Sequence, residues 1–236
     1  MLRVMTYNIQ HGIDYVHRLK TKEVIVNLDK IVEIIKSVNP DIVALNEVYD
    51  APVPYLEKQA EYIASKLGYY FAFGKAINIK GGEYGNALLS RFPLHDVSVI
   101  SIPDAINHNE PVYYESRSII KAYINKEGKK YHFFVSHFGL AKEEQDNGTA
   151  LIKELVNDLD NVIFMGDLNL TPDDKNYQEI TKVLKNAVNE NIKTFPSINP
   201  VSRIDYIFVS NDIKVMKNKV LDIVFSDHLP VTIDIE

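Results

Sequence analysis

Residues 164–172 read FMGDLNLTP, directly after the apolar pair Val162-Ile163. A block of large and β-branched apolar side chains reads as a strand buried on both faces. It stops on Gly166, and an acid and an amide follow two residues apart, Asp167 and Asn169, before Thr171-Pro172. Gly, Asp and Asn are turn formers, so a plain strand exit accounts for the order. The lip of an active site at the end of a buried strand accounts for it equally well.

Outward from this segment, Leu151, Leu155 and Leu159 recur at helical spacing ahead of a strand from Asn161 to Met165, and a further helix is expected near residues 175 to 186. At the start of the chain Leu2, Val4, Met5 and Tyr7 suggest an opening strand. Val24, Leu28, Ile31 and Ile35 then recur as on a helix until Asn39-Pro40. Asp41 to Leu45 is a short buried strand ending on Asn46-Glu47, and a second helix is expected over 55 to 67, stopped by Gly68. Strand patterns follow at 69–73, 84–90, 95–102, 118–125 and 131–137, and three closing strands begin at Ile204, Lys214 and Leu229. No fixed period repeats and no linker divides the chain, so residues 1–236 are expected to form a single domain. The class is α/β, and two sheets packed face to face with helices outside would bury the apolar runs.

With 46% hydrophobic and 25% charged residues, the composition is that of an ordinary globular protein. There is no cysteine, which excludes disulfides and thiolate metal sites and suits a reducing compartment. The first residues lack a leader pattern and no apolar run reaches the length of a membrane span, so a cytoplasmic protein is expected. The formal charge is −6, from 26 basic and 32 acidic residues, so no general attraction to nucleic acid is written into the composition. The densest basic cluster, Lys126-Glu127-Gly128-Lys129-Lys130, lies between two strand-like runs and reads as a solvated hairpin turn.

Five segments place acids, amides or a histidine just after an expected buried strand: Tyr7-Asn8, Asn46-Glu47, Ser136-His137-Phe138, Gly166 to Asn169, and Ser226-Asp227-His228. A sixth, Arg203-Ile204-Asp205-Tyr206, stands where a strand begins. Each alone has a structural explanation: Asn8 a turn, His137 a hydrogen-bonded core histidine, Asp205 an ion pair with Arg203 or Lys214. Together, two imidazoles, several carboxylates and two amides are what is needed to hold a hard divalent cation, activate water and stabilise a pentavalent phosphorus centre. Strand ends on one rim can bring such residues together from distant parts of a chain.

The ordered set "MTYNIQHG", "DIVALNEV", "GNALLSRFPL", "SHFGL", "MGDLNLTP", "RIDYIFVS" and "SDHLPV" resembles the endonuclease/exonuclease/phosphatase superfamily of metal-dependent phosphoesterases across nearly the whole chain. The resemblance implies a four-layer α/β/β/α sandwich with two mixed sheets and a metal site at one edge. It implies Glu47 as the principal metal ligand, assisted by Asn8 and Asp227. Magnesium is the expected ion, since it keeps several waters and takes few protein carboxylates, with manganese as a substitute. Asp167 would orient or deprotonate the attacking water, and Asn169 would offer an amide donor to phosphate or nucleophile. His228 would lie against a nonbridging phosphate oxygen with Asp205 on its other ring nitrogen, and His137 would supply a second phosphate contact or proton donor. The His228–Asp205 pair and Asp167 are both drawn as the base in this chemistry; Asp167 is favoured here. Arg117 matches a position that approaches the phosphate, with an ion pair to Glu115 as the alternative. Glu83 and Asn86 are weaker matches, Glu83 as an orienter of His137.

The expected activity is hydrolysis of a small-molecule or lipid-headgroup phosphoester, by a protein expected to be monomeric. A DNA or RNA nuclease is the alternative, because "SHFG" departs from the Tyr-x-Pro-Asn expected there in abasic-site endonucleases and the charge is acidic. A noncatalytic binding module would be expected to lack some of Glu47, Asp167, Asn169, Asp205 and His228, all of which are present. The segment from Ile102 to Tyr114, with His108 and Tyr113, either frames the pocket or is a packed surface loop.

Overall fold

A computed structural model describes residues 1–51, 58–79, 81–188 and 192–236. The chain begins with β1 (Leu2–Asn8), helices α1 (Tyr15–Thr21) and α2 (Leu28–Val38), β2 (Ile42–Asp50) and α3 (Gln59–Leu67). Five strands follow: β3 (Tyr70–Ile79), β4 (Gly82–Ser90), β5 (His95–Ser101), β6 (Ser118–Lys126) and β7 (Lys129–Ser136). The chain ends with α4 (Lys142–Val156), β8 (Val162–Asp167), α5 (Lys175–Thr181), β9 (Lys185–Asn186), β10 (Asp205–Val209), β11 (Val215–Val220) and β12 (Val231–Ile235).

Two mixed six-stranded sheets result, in the orders β11-β12-β1-β2-β4-β3 and β5-β6-β7-β8-β10-β9. Each has one parallel pair at its centre, β1 with β2 and β7 with β8, joined by helical crossovers as parallel neighbours require. Alternation along these strands sorts side chains into three apolar layers. Val4, Ile42, Ala44 and Leu88 of the first sheet meet Ile120, Phe133, Val135, Ile163, Met165 and Ile207 of the second between the sheets. Met5, Tyr7, Val43 and Leu45 face outward against Ile31, Ile35 and Ile63 of α2 and α3. Phe134, Phe164, Tyr206 and Phe208 face the other way against Ile152, Tyr177 and Ile180 of α4 and α5. The molecule is an α/β/β/α sandwich whose central strands are buried on both faces, which is why Val162 to Met165 carries no polar alternation.

Several boundaries differ from the sequence reading, each for a local reason. The first long helix starts at Leu28, because Asn27 caps it by accepting the Lys30 N–H at 3.0 Å; Val24 lies outside and is 63% exposed. Helix α1, absent from the sequence reading, is a seven-residue element capped by Asp14, and its Tyr15, Val16 and Leu19 are too few to set a helical period. The helix expected over 55–67 is seen as Gln59–Leu67, and its first residues fall outside those described. The helix around Leu151 runs from Lys142 to Val156, and Leu159 packs on the same core from beyond its end. The helix expected to 186 stops at Thr181, since Lys185 and Asn186 pair with Val209 and Phe208 at the sheet edge. The basic cluster is the expected hairpin turn, with Lys126 opposite Lys129 and both Glu127 and Gly128 at positive φ.

Candidate active site

The C-terminal ends of the two central parallel pairs open on the same rim, where such folds place their chemistry. On β2 the register slips by one residue between Leu45 and Val48 against β4, and Glu47 adopts φ 58°. Without this bulge Glu47 would follow Val43 and Leu45 onto the helix-facing side; with it, Val48 takes that place and Glu47 is left at the rim. Asn46 points between the sheets. It donates to Ser136 O at 3.0 Å and Asn86 Oδ1 at 2.7 Å, and accepts the Asp167 N–H at 2.9 Å. Gly166, still within β8, has φ +145°, and a Cβ there would stand 1.9 Å from Ser136 O. Close approach of β7 is what demands glycine; the chain turns later, at Asn169 with φ 50°.

Asp167 and Asp205 are direct partners across β8 and β10. His228 lies between their carboxylates, with Nδ1 2.9 Å from Asp205 Oδ2 and Nε2 3.5 Å from Asp167 Oδ2. Burial disfavours a charge on this ring, but Asp205 and Asp167 outweigh it and hold the imidazole at about 10, as an imidazolium at neutral pH. Burial pushes the Asp167 carboxyl far above its ordinary range, with His228 pulling the other way and Asp205 adding to the rise. His137 is 3.5 Å from Asp167 Oδ2 and 3.2 Å from Asn169 Nδ2. Burial, then the Arg117 charge, lowers it well below its ordinary value, so it is neutral. Asn8 Nδ2 donates to both Glu47 Oε1 and Asp167 Oδ2 at 3.0 Å, which ties the first sheet to the second. Asp227 accepts from Gln10 Nε2 at 2.5 Å, while the Tyr7 hydroxyl accepts the Ser226 N–H at 3.2 Å and holds that turn in place.

The sequence profile of the endonuclease/exonuclease/phosphatase family matches residues 5–228. The chain belongs to this family. Its members hydrolyse phosphoesters and generally depend on a divalent metal. A relative in Escherichia coli, the uncharacterized protein YbhP, is 26% identical over 230 residues, covering 89% of this chain and 85% of its own. Among solved structures, an endonuclease/exonuclease/phosphatase from Beutenbergia cavernae superposes with a TM-score of 0.79 at 24% identity, over 99% of this chain and 71% of that one. The mannosyl-6-phosphatase Bt3783 of Bacteroides thetaiotaomicron superposes with a TM-score of 0.78 at 19% identity over the whole of both chains.

For a member of this family the donor set matters most. Glu47, Asp167, Asp205 and Asp227 gather around one imidazolium, and Asp205 Oδ1 is buried without a hydrogen-bond partner among the described residues. Burial raises the Asp227 carboxyl as well. An oxygen-rich set with this much uncompensated negative charge fits a hard divalent cation. One ligand atom each from Asp167, Asp205 and His228 lies within 4.8 Å of the others. Asn8 faces the acids with its amide nitrogen, and its oxygen accepts the Gln10 N–H at 3.1 Å.

Arg117 pairs with Glu115 at 3.1 Å, but the pair is nearly buried and close enough to influence His137 and Tyr84. Asp205 does not pair with Arg203, which donates to Asn186 Oδ1 and Val188 O. Glu83 is half exposed and pairs with Lys75 at 3.2 Å rather than orienting His137. Asn86 braces Asn46 and does not face the site's carboxylates. The loop with His108 and Tyr114, whose rings stack 4.1 Å apart, is tied to α4 through Glu143 and Glu144 and positions Glu115. Two residues escaped the sequence reading as site members. His11 reaches the Glu47 carbonyl with Nδ1 at 3.3 Å and its carboxylate with Nε2 at 3.9 Å, and Asn46, though part of a strand-end segment, had no role of its own in the sequence reading. The one available signal was their place inside "NIQHG" and "LNEV".

Proposed function

We propose that residues 1–236 act as one divalent-metal-dependent phosphoester hydrolase, a phosphodiesterase or phosphatase for small-molecule or lipid-headgroup phosphates. The observation that carries this reading is the imidazolium of His228 held between Asp205 and Asp167, with the neutral His137 and Asn169 on the other side of Asp167. Glu47 and Asp227, with Asn8 once its amide is turned to present Oδ1 in place of Nδ2, would hold magnesium or manganese, which when bound neutralises charge on the phosphoryl and leaving oxygens. Asp167 would take a proton from water attacking in line with the leaving group. Because His228 is already protonated at neutral pH, it serves as a donor to a nonbridging oxygen, and Asp205 fixes its tautomer and orientation. Asn169 and His137 would contact the phosphate beside it, and Arg117, held by Glu115, would add a fixed positive charge. Likeness in fold to a mannosyl-6-phosphatase supports keeping monoesters in the substrate range.

The test is a parallel panel of bis-aryl phosphate, aryl monophosphate, sugar and inositol phosphates, phospholipid, and duplex, abasic and single-stranded nucleic acid. Magnesium-dependent turnover of small phosphoesters is expected, with losses of about 10²-fold or more for Glu47→Gln, Asp167→Asn or His228→Ala. Full activity of a Glu47→Gln, His228→Ala protein in excess chelator would overturn the reading, and cleavage confined to nucleic acid would replace it with a nuclease.

A further inference from the structure

Every residue from Leu19 to Asn27 is exposed, and four of these nine are large aliphatics: Leu19, Val24, Ile25 and Val26. The segment is nonetheless ordered by its backbone. Asp14 N–H donates to Ile25 O at 2.9 Å, Asn27 N–H to Gly12 O at 2.8 Å, and Ile13 bridges Val26. Helix α1, which leads into it, buries none of its side chains. An ordered excursion that turns its aliphatic side chains to solvent has a surface to meet. It stands beside the catalytic rim: Tyr15 N–H donates to Phe225 O, two residues before Asp227, and Gly12 adjoins His11 against Glu47. Val224, next to Phe225, is more than one-third exposed as well.

The charge on this flank is opposite to that of the molecule. Arg18, Lys20 and Lys22 stand among the aliphatics of residues 14–27 against two acids, Asp14, which caps α1, and Glu23, which lies 3.6 Å from His17, so the segment is net basic whereas the whole chain carries −6. We propose that this flank docks peripherally on an anionic lipid bilayer, with Leu19, Val24 and Ile25 entering the headgroup region and the lysines paired with lipid phosphates. A single-stranded nucleic acid would meet the lysines but no free aromatic platform for its bases, since Tyr15 lies under Arg18 and His17 faces Glu23. For the phosphoester hydrolase proposed above, docking narrows the substrate class to phosphoesters presented at a lipid surface; that consequence rests on the hydrolase reading, while the docking itself does not.

Co-sedimentation with vesicles of phosphatidylcholine alone, and with one-third phosphatidylglycerol, separates the outcomes. Binding is expected to the anionic vesicles and to weaken with salt. It should fall about tenfold or more in Leu19→Ser/Val24→Ser/Ile25→Ser and about fivefold for each of Lys20→Gln and Lys22→Gln. All variants should hydrolyse soluble bis-aryl phosphate at the parent rate, which tests the catalytic reading on the same samples. No sedimentation with anionic vesicles at low ionic strength would overturn the proposal. So would undiminished binding of the triple serine variant, or preferential binding of a single-stranded oligonucleotide. Vesicle binding without any hydrolysis would leave the docking standing and remove the hydrolase.

Discussion

Asp167, the proposed base, is held in a setting that opposes the stability of its own fold. Its backbone is fixed by Asn46 and its carboxylate receives Asn8, yet burial pushes the carboxyl up to about 7. A carboxyl whose folded value lies above its unfolded one loses stability as pH rises from about 4 through 7. In chelator at pH 8, Asp167→Asn is therefore expected to raise the melting temperature by several degrees while losing activity, and magnesium should reduce that gain; thermal melts with and without the ion check this. Asn46 carries a different prediction. Its amide sets the register of Asp167 against Ser136, so Asn46→Leu should lower kcat about 10- to 100-fold with KM nearly unchanged, as for a group supporting only the transition state. Steady-state kinetics on protein shown folded by circular dichroism would decide it, and an unchanged kcat would remove Asn46 from the machinery. These roles were only half legible in the chain. That Asp167, Asn169 and His228 are candidates for chemistry follows from their residue types after buried strands; that Asn46 braces Asp167 and His11 adjoins Glu47 does not, because only their spatial partners distinguish them from turn residues.

At the scale of elements, local rules located the strands well and the helix ends poorly. Val162 to Met165 had to be a buried strand, since its apolar block is too short for a core helix and ends on glycine. Val24 was drawn into a helix by spacing alone, and the cap at Asn27 decided otherwise. The bulge on β2 had no local signal either, yet it turns Glu47 into the site. Element pairing also sets one acid-sensitive tie. Arg3 on β1 donates to its cross-strand partner Asp234 on β12 at 2.7 Å, and this hydrogen bond holds the carboxyl below its ordinary range. A depressed carboxyl contributes stability above its unfolded value near 4 that is lost as pH falls through its folded one. Because Arg3 is 40% exposed, the contribution is discounted to about 1 kcal/mol or less. Asp234→Asn should melt about 2–4 °C lower at pH 7, and the difference should shrink below pH 4 in a pH series of thermal melts.

Across the whole molecule, the site is also a seam. Asn8 and Glu47 come from one sheet, Asp167, Asp205 and His137 from the other or the turn after it, and His228 from the turn before β12. A cation held on the first sheet by Glu47, Asn8 and Asp227, beside the Asn8 amide that bonds to Asp167 of the second, would stabilise the sandwich as a unit, by about 2.7 kcal/mol at a hundredfold excess over its Kd. Magnesium should accordingly raise the single melting transition without splitting it, and chelator should reverse the shift; two transitions moving independently in calorimetry would contradict a shared site. By itself the sequence determined the strand cores, the class of the fold and the chemical types gathered at strand ends, because apolar periodicity and turn chemistry are local properties of the chain. Only the tertiary structure decided which atoms meet: the imidazolium between two carboxylates, the amide that joins the sheets, and the basic apolar flank beside the rim. Those depend on register, bulge and packing between residues as many as 220 positions apart, such as Asn8 and His228, and a one-residue slip in a strand exchanges its two faces.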